Sequence, residues 1–97
     1  KAEIRTLEPE INRALEQDLG KSGMESYMCE VGMTLSELSD LLAHTPAYFR
    51  PHRAATPLAQ FHASSFTLAE PYGVVLVMSP WNYPFMLTLE PLLGAIA

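Results

Sequence analysis

The stretch Val74-Val75-Leu76-Val77-Met78 is the part of this sequence that says most about its fold. It is continuously apolar and rich in β-branched valine, whereas a strand with one solvent-facing side alternates apolar with polar residues. A continuous run of this kind is typical of a strand in a parallel sheet with helices on both faces. The stretch therefore predicts an α/β protein with a doubly buried strand at residues 74–78.

Turn and helix signals flank this predicted strand. Residues 71–73, Pro-Tyr-Gly, indicate a turn before it, and residues 79–83 form the loop at its carboxyl end. A helix is predicted from residue 85 to residue 97, with Pro84 in its first turn, where the missing N–H is not needed. Upstream, apolar and polar residues alternate over residues 66–69, which predicts a second strand with one buried face. The prediction is a pair of β-strands, the second of which begins a strand–loop–helix unit.

Two amphipathic helices are predicted before these strands. The first covers residues 9–19, repeats apolar residues every four positions and ends at Gly20, which suits a C-cap. The second covers residues 24–43 and begins at a capping box formed by Ser22 and Glu25. Its apolar stripe consists of Tyr27, Val31, Leu35, Leu38 and Leu42. Three prolines in residues 44–60 predict an extended linker, with Pro46 ending the helix.

Composition and charge exclude several classes of protein. Eleven acidic against six basic residues give a net charge of −5, which argues against nucleic acid and anionic membranes as partners. A hydrophobic content of 48% excludes a disordered chain. The long uncharged run from residue 71 is interrupted by Pro and Gly, so no membrane-spanning segment is expected. The lone Cys29 and the spacing of the three histidines predict no metal site and a reducing, cytoplasmic location.

The predicted parallel strand also bears on domain organisation. Such a strand needs neighbours reached through crossover connections, and no later strand is predicted within the 97 residues. We therefore expect an N-terminal part of a larger α/β protein, in which residues 1–60, 61–73 and 74–97 all belong to one incomplete domain. These three parts would be a helical segment with linker, an extended strand with turn, and the strand–loop–helix unit. The alternative is a small α+β domain with a two-stranded sheet.

Candidate functional residues lie in the loop after the predicted strand, because ligands of open α/β sheets bind beyond the carboxyl ends of strands. The amide of Asn82 can stabilise an oxyanion or cap the following helix, and spacing alone favours the cap. Trp81 can cover a flat cofactor or pack on the strand, with packing the simpler interpretation. Tyr83 and Leu87 can line a tunnel or form an ordinary core stripe. Cys29 has no nearby base in the sequence, which favours a structural role.

Residues 70–85, Glu-Pro-Tyr-Gly-Val-Val-Leu-Val-Met-Ser-Pro-Trp-Asn-Tyr-Pro-Phe, resemble the first nucleotide-domain strand and loop of the aldehyde dehydrogenase superfamily. Residues 18–22 and 30–31 resemble the N-terminal helices of its shorter, class 3-like branch, and residues 87–97 continue that branch's pattern. The resemblance covers nearly the whole chain. It implies that residues 74–97 begin a Rossmann-like nucleotide-binding domain.

The resemblance also implies roles for individual residues. Asn82 matches the asparagine that holds the aldehyde oxygen of a cysteine thiohemiacetal, and it can still cap the helix as well. Tyr83 and Leu87 match positions that line the aldehyde tunnel. The loop that meets the ribose and phosphate of NAD or NADP is matched by Met78, Ser79, Pro80 and Trp81. The implied partners are an aldehyde substrate and, for the full-length protein, further copies of itself in a homo-oligomer.

The family's cysteine nucleophile, general-base glutamate and ribose-contacting lysine would all lie beyond Ala97, and Cys29 does not match the nucleophile's position. The resemblance therefore predicts an NAD(P)-dependent aldehyde dehydrogenase for the full-length protein and an inactive 97-residue chain. The alternative from another class is a non-enzymatic helical interaction module whose apolar C-terminal half docks on a partner.

Overall fold

The computed structural model describes all 97 residues and is mainly helical. Its helices are α1 (Ala2–Leu19), α2 (Gly23–Ser26), α3 (Gly32–Tyr48) and α4 (Pro84–Ile96). A π-helical turn, Tyr27–Val31, joins α2 to α3. Two short strands, β1 (His52–Ala54) and β2 (Ser65–Thr67), flank a 3₁₀ turn at Leu58–Gln60 and pair in antiparallel fashion. None of the helices combines the length and the apolar character needed to cross a bilayer.

Helix α1 ends where the sequence predicts and begins earlier. Gly20 adopts the left-handed conformation, with φ of 67°, and its N–H donates to the Glu16 carbonyl, which confirms the predicted C-cap. The predicted start at Pro9 is wrong, because Pro9 lies inside the helix. The residues before Pro9 are mostly good helix formers, and the helix continues through Pro9 despite the lost N–H and the crowding of the carbonyl four residues earlier.

The predicted second helix is present in three parts. Its boundary prediction is wrong at the C-terminal end, since α3 runs through Pro46 to Tyr48. Pro46 lies in the last turn, where the one backbone bond that it removes does not end the helix. The predicted linker consequently starts later than residue 44, and it contains β1, a strand that no sequence pattern predicted.

The capping box before α2 is half formed. The Ser22 hydroxyl oxygen accepts a hydrogen bond from the Glu25 N–H at 3.2 Å, whereas the Glu25 side chain makes no return bond to Ser22. One orphan N–H of the helix is thus satisfied by a side chain.

We expect Ser22→Ala to lower the free energy of unfolding by about 1 kcal/mol, because the capped N–H loses its acceptor. Denaturant unfolding of the complete protein that carries this segment measures the change. Ser36→Ala on the exposed side of α3 is the matched control, since Ser36 makes no side-chain hydrogen bond. Equal stabilities of the two variants would show that the cap contributes nothing.

The core lies where α1, the π-helical turn, α3 and α4 meet. Its buried apolar residues are Leu15, Val31 and Leu35, and its buried polar residues are Lys21, Ser26, Glu30 and Thr34. The predicted apolar stripe is therefore confirmed at Val31 and Leu35, while Tyr27 is 46% and Leu42 is 67% exposed. A core with this share of polar side chains needs its charges paired.

The predicted strand near Phe66 is present, and its partner comes from the linker. In the antiparallel register, Arg53 lies opposite Phe66. The prediction of a buried face is wrong for this chain, because Phe66 and Leu68 are both more than half exposed. No other element covers this small sheet.

Residues 74–78 form neither a strand nor a buried segment in this chain, so that prediction is wrong here. A strand requires a hydrogen-bonded neighbour, and β1 and β2 pair only with each other. Val74 is fully exposed and Leu76 is 79% exposed. The accessible surface of the chain is 7606 Å², against about 5,500 Å² for a compact monomer of this mass. The chain therefore leaves a large apolar surface open to solvent.

We expect the isolated 97-residue chain to aggregate or to bind apolar dyes, because residues 74–78 expose apolar side chains and unpaired backbone groups. Light scattering and dye fluorescence measure this behaviour. Leu76→Lys places a charge on the same segment and should reduce both signals. A monomeric chain that melts cooperatively would contradict the expectation.

Candidate functional site

The loop at residues 79–83 leads directly into α4, and this helix is the best-predicted element of the chain. It was expected over residues 85–97 with Pro84 in the first turn, and it is found at Pro84–Ile96 with Pro84 at the first position. Because Pro84 fixes its own φ, it sets where the helix begins. The candidate site is the loop together with the N-terminus of α4.

A carboxylate from far upstream caps α4. Glu30 is fully buried, and its Oε2 accepts hydrogen bonds from the Phe85 N–H at 2.8 Å and the Met86 N–H at 3.3 Å. These are two of the N–H groups that a helix leaves without an internal partner. The negative charge of Glu30 also lies at the positive end of the helix dipole, which stabilises both.

Lys21 pairs with Glu30 and reaches the same loop. Its Nζ lies 2.5 Å from Glu30 Oε1 and donates to the Asn82 backbone carbonyl at 2.8 Å. It also lies 4.1 Å from the centroid of the Tyr83 ring, which gives a cation–π contact. The side chains of Lys21 and Glu30 are 9% and 0% exposed. A buried ion pair of this kind is favourable only when further hydrogen bonds satisfy it, as they do here.

The π-helical turn brings Glu30 into this position. The Gly32 N–H donates to the Tyr27 carbonyl, five residues earlier, and a Cβ at Gly32 would lie only 2.8 Å from that oxygen. Glycine is therefore required where the wider turn rejoins the α-helix. Short π-helical segments of this kind occur frequently at functional sites.

Asn82 does not cap α4. The cap position is occupied by Tyr83, and the N–H groups of the first turn are satisfied by Glu30 instead. The predicted capping role of Asn82 is therefore wrong, and its catalytic role stays a prediction. Asn82 is exposed, and only its backbone carbonyl is hydrogen-bonded within the chain. Its side-chain amide is free to donate to the oxygen of a ligand.

The residues before Asn82 present polar groups without partners in the chain. The backbone C=O groups of residues 78–81 and the N–H groups of Met78, Ser79 and Trp81 make no hydrogen bonds within the chain, and Pro80 has no N–H. The Ser79 hydroxyl lies 2.6 Å from Thr88 Oγ1, which ties the loop to α4. Met78 and Trp81 are more than four-fifths exposed, so Trp81 does not pack on its own chain. Free peptide groups, a hydroxyl and an open aromatic face suit a ligand with ribose and phosphate groups.

The family model for the aldehyde dehydrogenase family matches residues 1–97, the whole chain. The chain belongs to the aldehyde dehydrogenase family. Relatives include aldehyde dehydrogenase family 3 member H1 of Arabidopsis thaliana, 44% identical over 93% of this chain and 19% of the relative. Human aldehyde dehydrogenase family 3 member B1 is 42% identical over 90% of this chain and 19% of the relative. These names confirm the resemblance to the class 3-like branch.

A solved structure supports the same assignment. The substrate-bound state of Staphylococcus aureus AldH matches this aldehyde dehydrogenase chain with a TM-score of 0.90 and 41% identity, over 96% of this chain and 20% of that one. The 4,4'-diaponeurosporen-aldehyde dehydrogenase of Staphylococcus aureus is 42% identical over 97% of this chain and 20% of its own length. The chain thus spans about one fifth of the length of the relatives that it matches.

Of the other residues considered in the sequence, Tyr83 and Leu87 lie at the start of α4, and Cys29 lies in the π-helical turn. The Leu87 N–H donates to the Tyr83 carbonyl at 3.0 Å, so the two residues lie one turn apart, and their role in a tunnel stays a prediction. Cys29 is partly buried in the π-helical turn, with a free thiol. No group of three His, Cys, Asp or Glu side chains is placed to hold a metal ion.

Sequence reasoning missed Lys21 and Glu30 as contributors to the site. They are 9 residues apart, and they lie 61 and 55 residues from their partners Asn82 and Phe85. No signal in the sequence distinguishes this lysine and this glutamate from surface charges, because their burial depends on tertiary packing.

Proposed function

We propose that the complete protein carrying this segment oxidises an aldehyde to a carboxylic acid with NAD or NADP, and that the Asn82 amide stabilises the oxyanion. The observation that carries this proposal is the hydrogen bonding and exposure of Asn82. Its backbone is held by a buried lysine, while its side-chain amide is exposed and has no partner in the chain. A donor arranged in this way needs little reorganisation when charge develops beside it.

The chemistry proposed for Asn82 follows from charge. When a thiolate attacks an aldehyde, the carbonyl oxygen becomes negatively charged, and an N–H aimed at that oxygen binds it more strongly than it binds the neutral carbonyl. The amide of Asn82 would provide this N–H. The thiol would be a cysteine outside this segment, because Cys29 lies in the π-helical turn and not in the loop.

Residues 78–81 are proposed to hold the cofactor. Free backbone groups and the Ser79 hydroxyl would hydrogen-bond its ribose and phosphate region, and the exposed indole of Trp81 would cover a flat group. When bound, the nicotinamide cofactor supplies the hydride acceptor of the reaction. Tyr83 and Leu87 would line one side of the aldehyde tunnel.

The exposed segment at residues 74–78 fits the same proposal. Its continuous β-branched sequence would add a strand to the Rossmann-like sheet of the complete protein, which would cover the apolar surface that this chain leaves open. Residues 1–60, 61–73 and 74–97 would then form parts of one larger domain. A homo-oligomer and a cytoplasmic location remain predictions of the resemblance and of the composition.

The test is a turnover assay on the purified complete protein. A panel of aliphatic and aromatic aldehydes is supplied with NAD or NADP, and the absorbance of the reduced cofactor is followed. We expect reduction with at least one aldehyde and release of the matching acid, and no reduction by the 97-residue chain alone. No reduction with any aldehyde by protein that binds the cofactor would refute the proposal.

A further inference from the structure

The Lys21–Glu30 pair contacts the chain on both sides of the Asn82 side chain. Lys21 holds the Asn82 carbonyl at 2.8 Å and lies over the Tyr83 ring, and Glu30 holds the N–H groups at the start of α4. The contacts therefore extend from residue 82 to residue 86. No other side chain of the chain donates to or accepts from the Asn82 backbone.

The pair is itself fixed by its surroundings. Glu30 is completely buried beside the buried Val31, and Lys21 follows directly on the Gly20 cap of α1. Each charged group has its partner within hydrogen-bond distance, so neither can rotate freely without leaving the other unpaired. Side chains that are locked by packing are suited to hold a reacting group in place.

We infer that Lys21 and Glu30 are positioning residues for the oxyanion amide of Asn82. The inference rests on the proposed function, because it assigns to the pair a role in that reaction. Lys21 fixes the peptide plane of Asn82 through a charge-assisted hydrogen bond, and Glu30 fixes the first turn of α4 that follows it. The direction of the Asn82 side chain is thereby set from the helical core.

Positioning of this kind affects the reaction rate, because a displacement of about 1 Å at a reacting group lowers turnover by as much as roughly 10²-fold. Loss of the Lys21 contact should therefore lower kcat through Asn82. A residue that acts only through Asn82 has nothing left to position once the amide is removed. This dependence separates positioning from a merely structural role.

The experiment is a double-mutant cycle in the complete aldehyde dehydrogenase that carries this segment. Wild type, Lys21→Met, Asn82→Ala and the double variant are compared for kcat, KM and cofactor Kd. We expect Lys21→Met to lower kcat by roughly 10- to 100-fold in the wild-type background. In the Asn82→Ala background, the same change should lower kcat by less than about threefold, since the two sites are coupled.

Leu35→Ala is the control for lost stability, because Leu35 is buried in the same core and makes no polar contact with the loop. It should lower the melting temperature and leave kcat near wild type. If Lys21→Met does not fold, Glu30→Gln replaces it, since glutamine keeps an oxygen for the Phe85 N–H and weakens the contact with Lys21. Failure of both variants to fold would assign the pair to stability alone and overturn the inference.

Two results of the cycle overturn the inference in other ways. An unchanged kcat for Lys21→Met, or equal losses in both backgrounds, would show that Lys21 does not act through Asn82. If Asn82→Ala itself retains full turnover, the oxyanion role in the proposed function is refuted, and the positioning role that rests on it is refuted as well. The kcat of the Asn82→Ala variant thus distinguishes failure of the proposed function from failure of the positioning role alone.

Discussion

Asn82→Ala in the complete protein that carries this segment is expected to lower turnover by roughly 10²- to 10³-fold, because its amide is proposed as an oxyanion donor and this is the usual effect of removing one. The amide has no partner in the chain, so under the proposed function the loss would fall on its interaction with the substrate oxygen. Cofactor affinity should stay within about twofold, because the role proposed for this N–H is toward the aldehyde oxygen and not toward the cofactor. Steady-state kinetics and cofactor titration measure both quantities.

The melting temperature of Asn82→Ala is equally informative. A helix-capping asparagine would contribute about 1 kcal/mol of stability, but Glu30 already satisfies the first turn of α4. We therefore expect little change in melting temperature. Asn12→Ala on α1 is the matched control for turnover, since it deletes the same amide outside the loop, and it should leave turnover unchanged. Near-normal turnover in Asn82→Ala would remove the catalytic assignment.

Glu30→Ala is expected to destabilise the complete protein by about 3–5 kcal/mol, the usual result of breaking a buried ion pair from one side. The variant leaves the Lys21 ammonium buried without its carboxylate and removes the acceptor of the Phe85 and Met86 N–H groups. Both losses act in the same direction. The shift of the denaturant midpoint, converted with the measured slope, gives the change in free energy.

Glu25→Ala is the control for Glu30→Ala. Glu25 lies in the same helical region, but it is exposed and its carboxylate makes no hydrogen bond or salt bridge. Its replacement should change stability by less than about 0.5 kcal/mol, as is usual for exposed positions. If Glu30→Ala were no more harmful than Glu25→Ala, the buried pair would have no stabilising role.

Local signals account for the features of this chain that the sequence alone predicted. The αL glycine at residue 20, the serine cap at residue 22 and the start of α4 at Pro84 each depend on backbone angles or bonds within a few residues. The stretch from residue 70 to residue 85 carried the family resemblance for the same reason, because its motif is continuous in sequence. Such features can be read without knowing which distant segments meet.

Tertiary structure decided the features that depend on distant partners. Whether residues 74–78 form a strand depends on a hydrogen-bonded neighbour, which this chain does not provide. The spacing of Asn82 favoured a capping role. In the structure the Phe85 N–H donates instead to Glu30, which lies 55 residues away in the sequence. Lys21 and Glu30 carry charges that a sequence analysis places at the surface, and only the packing of α1, the π-helical turn and α4 buries them together. Burial and long-range hydrogen bonding are properties of the assembled chain, so no local pattern contains them.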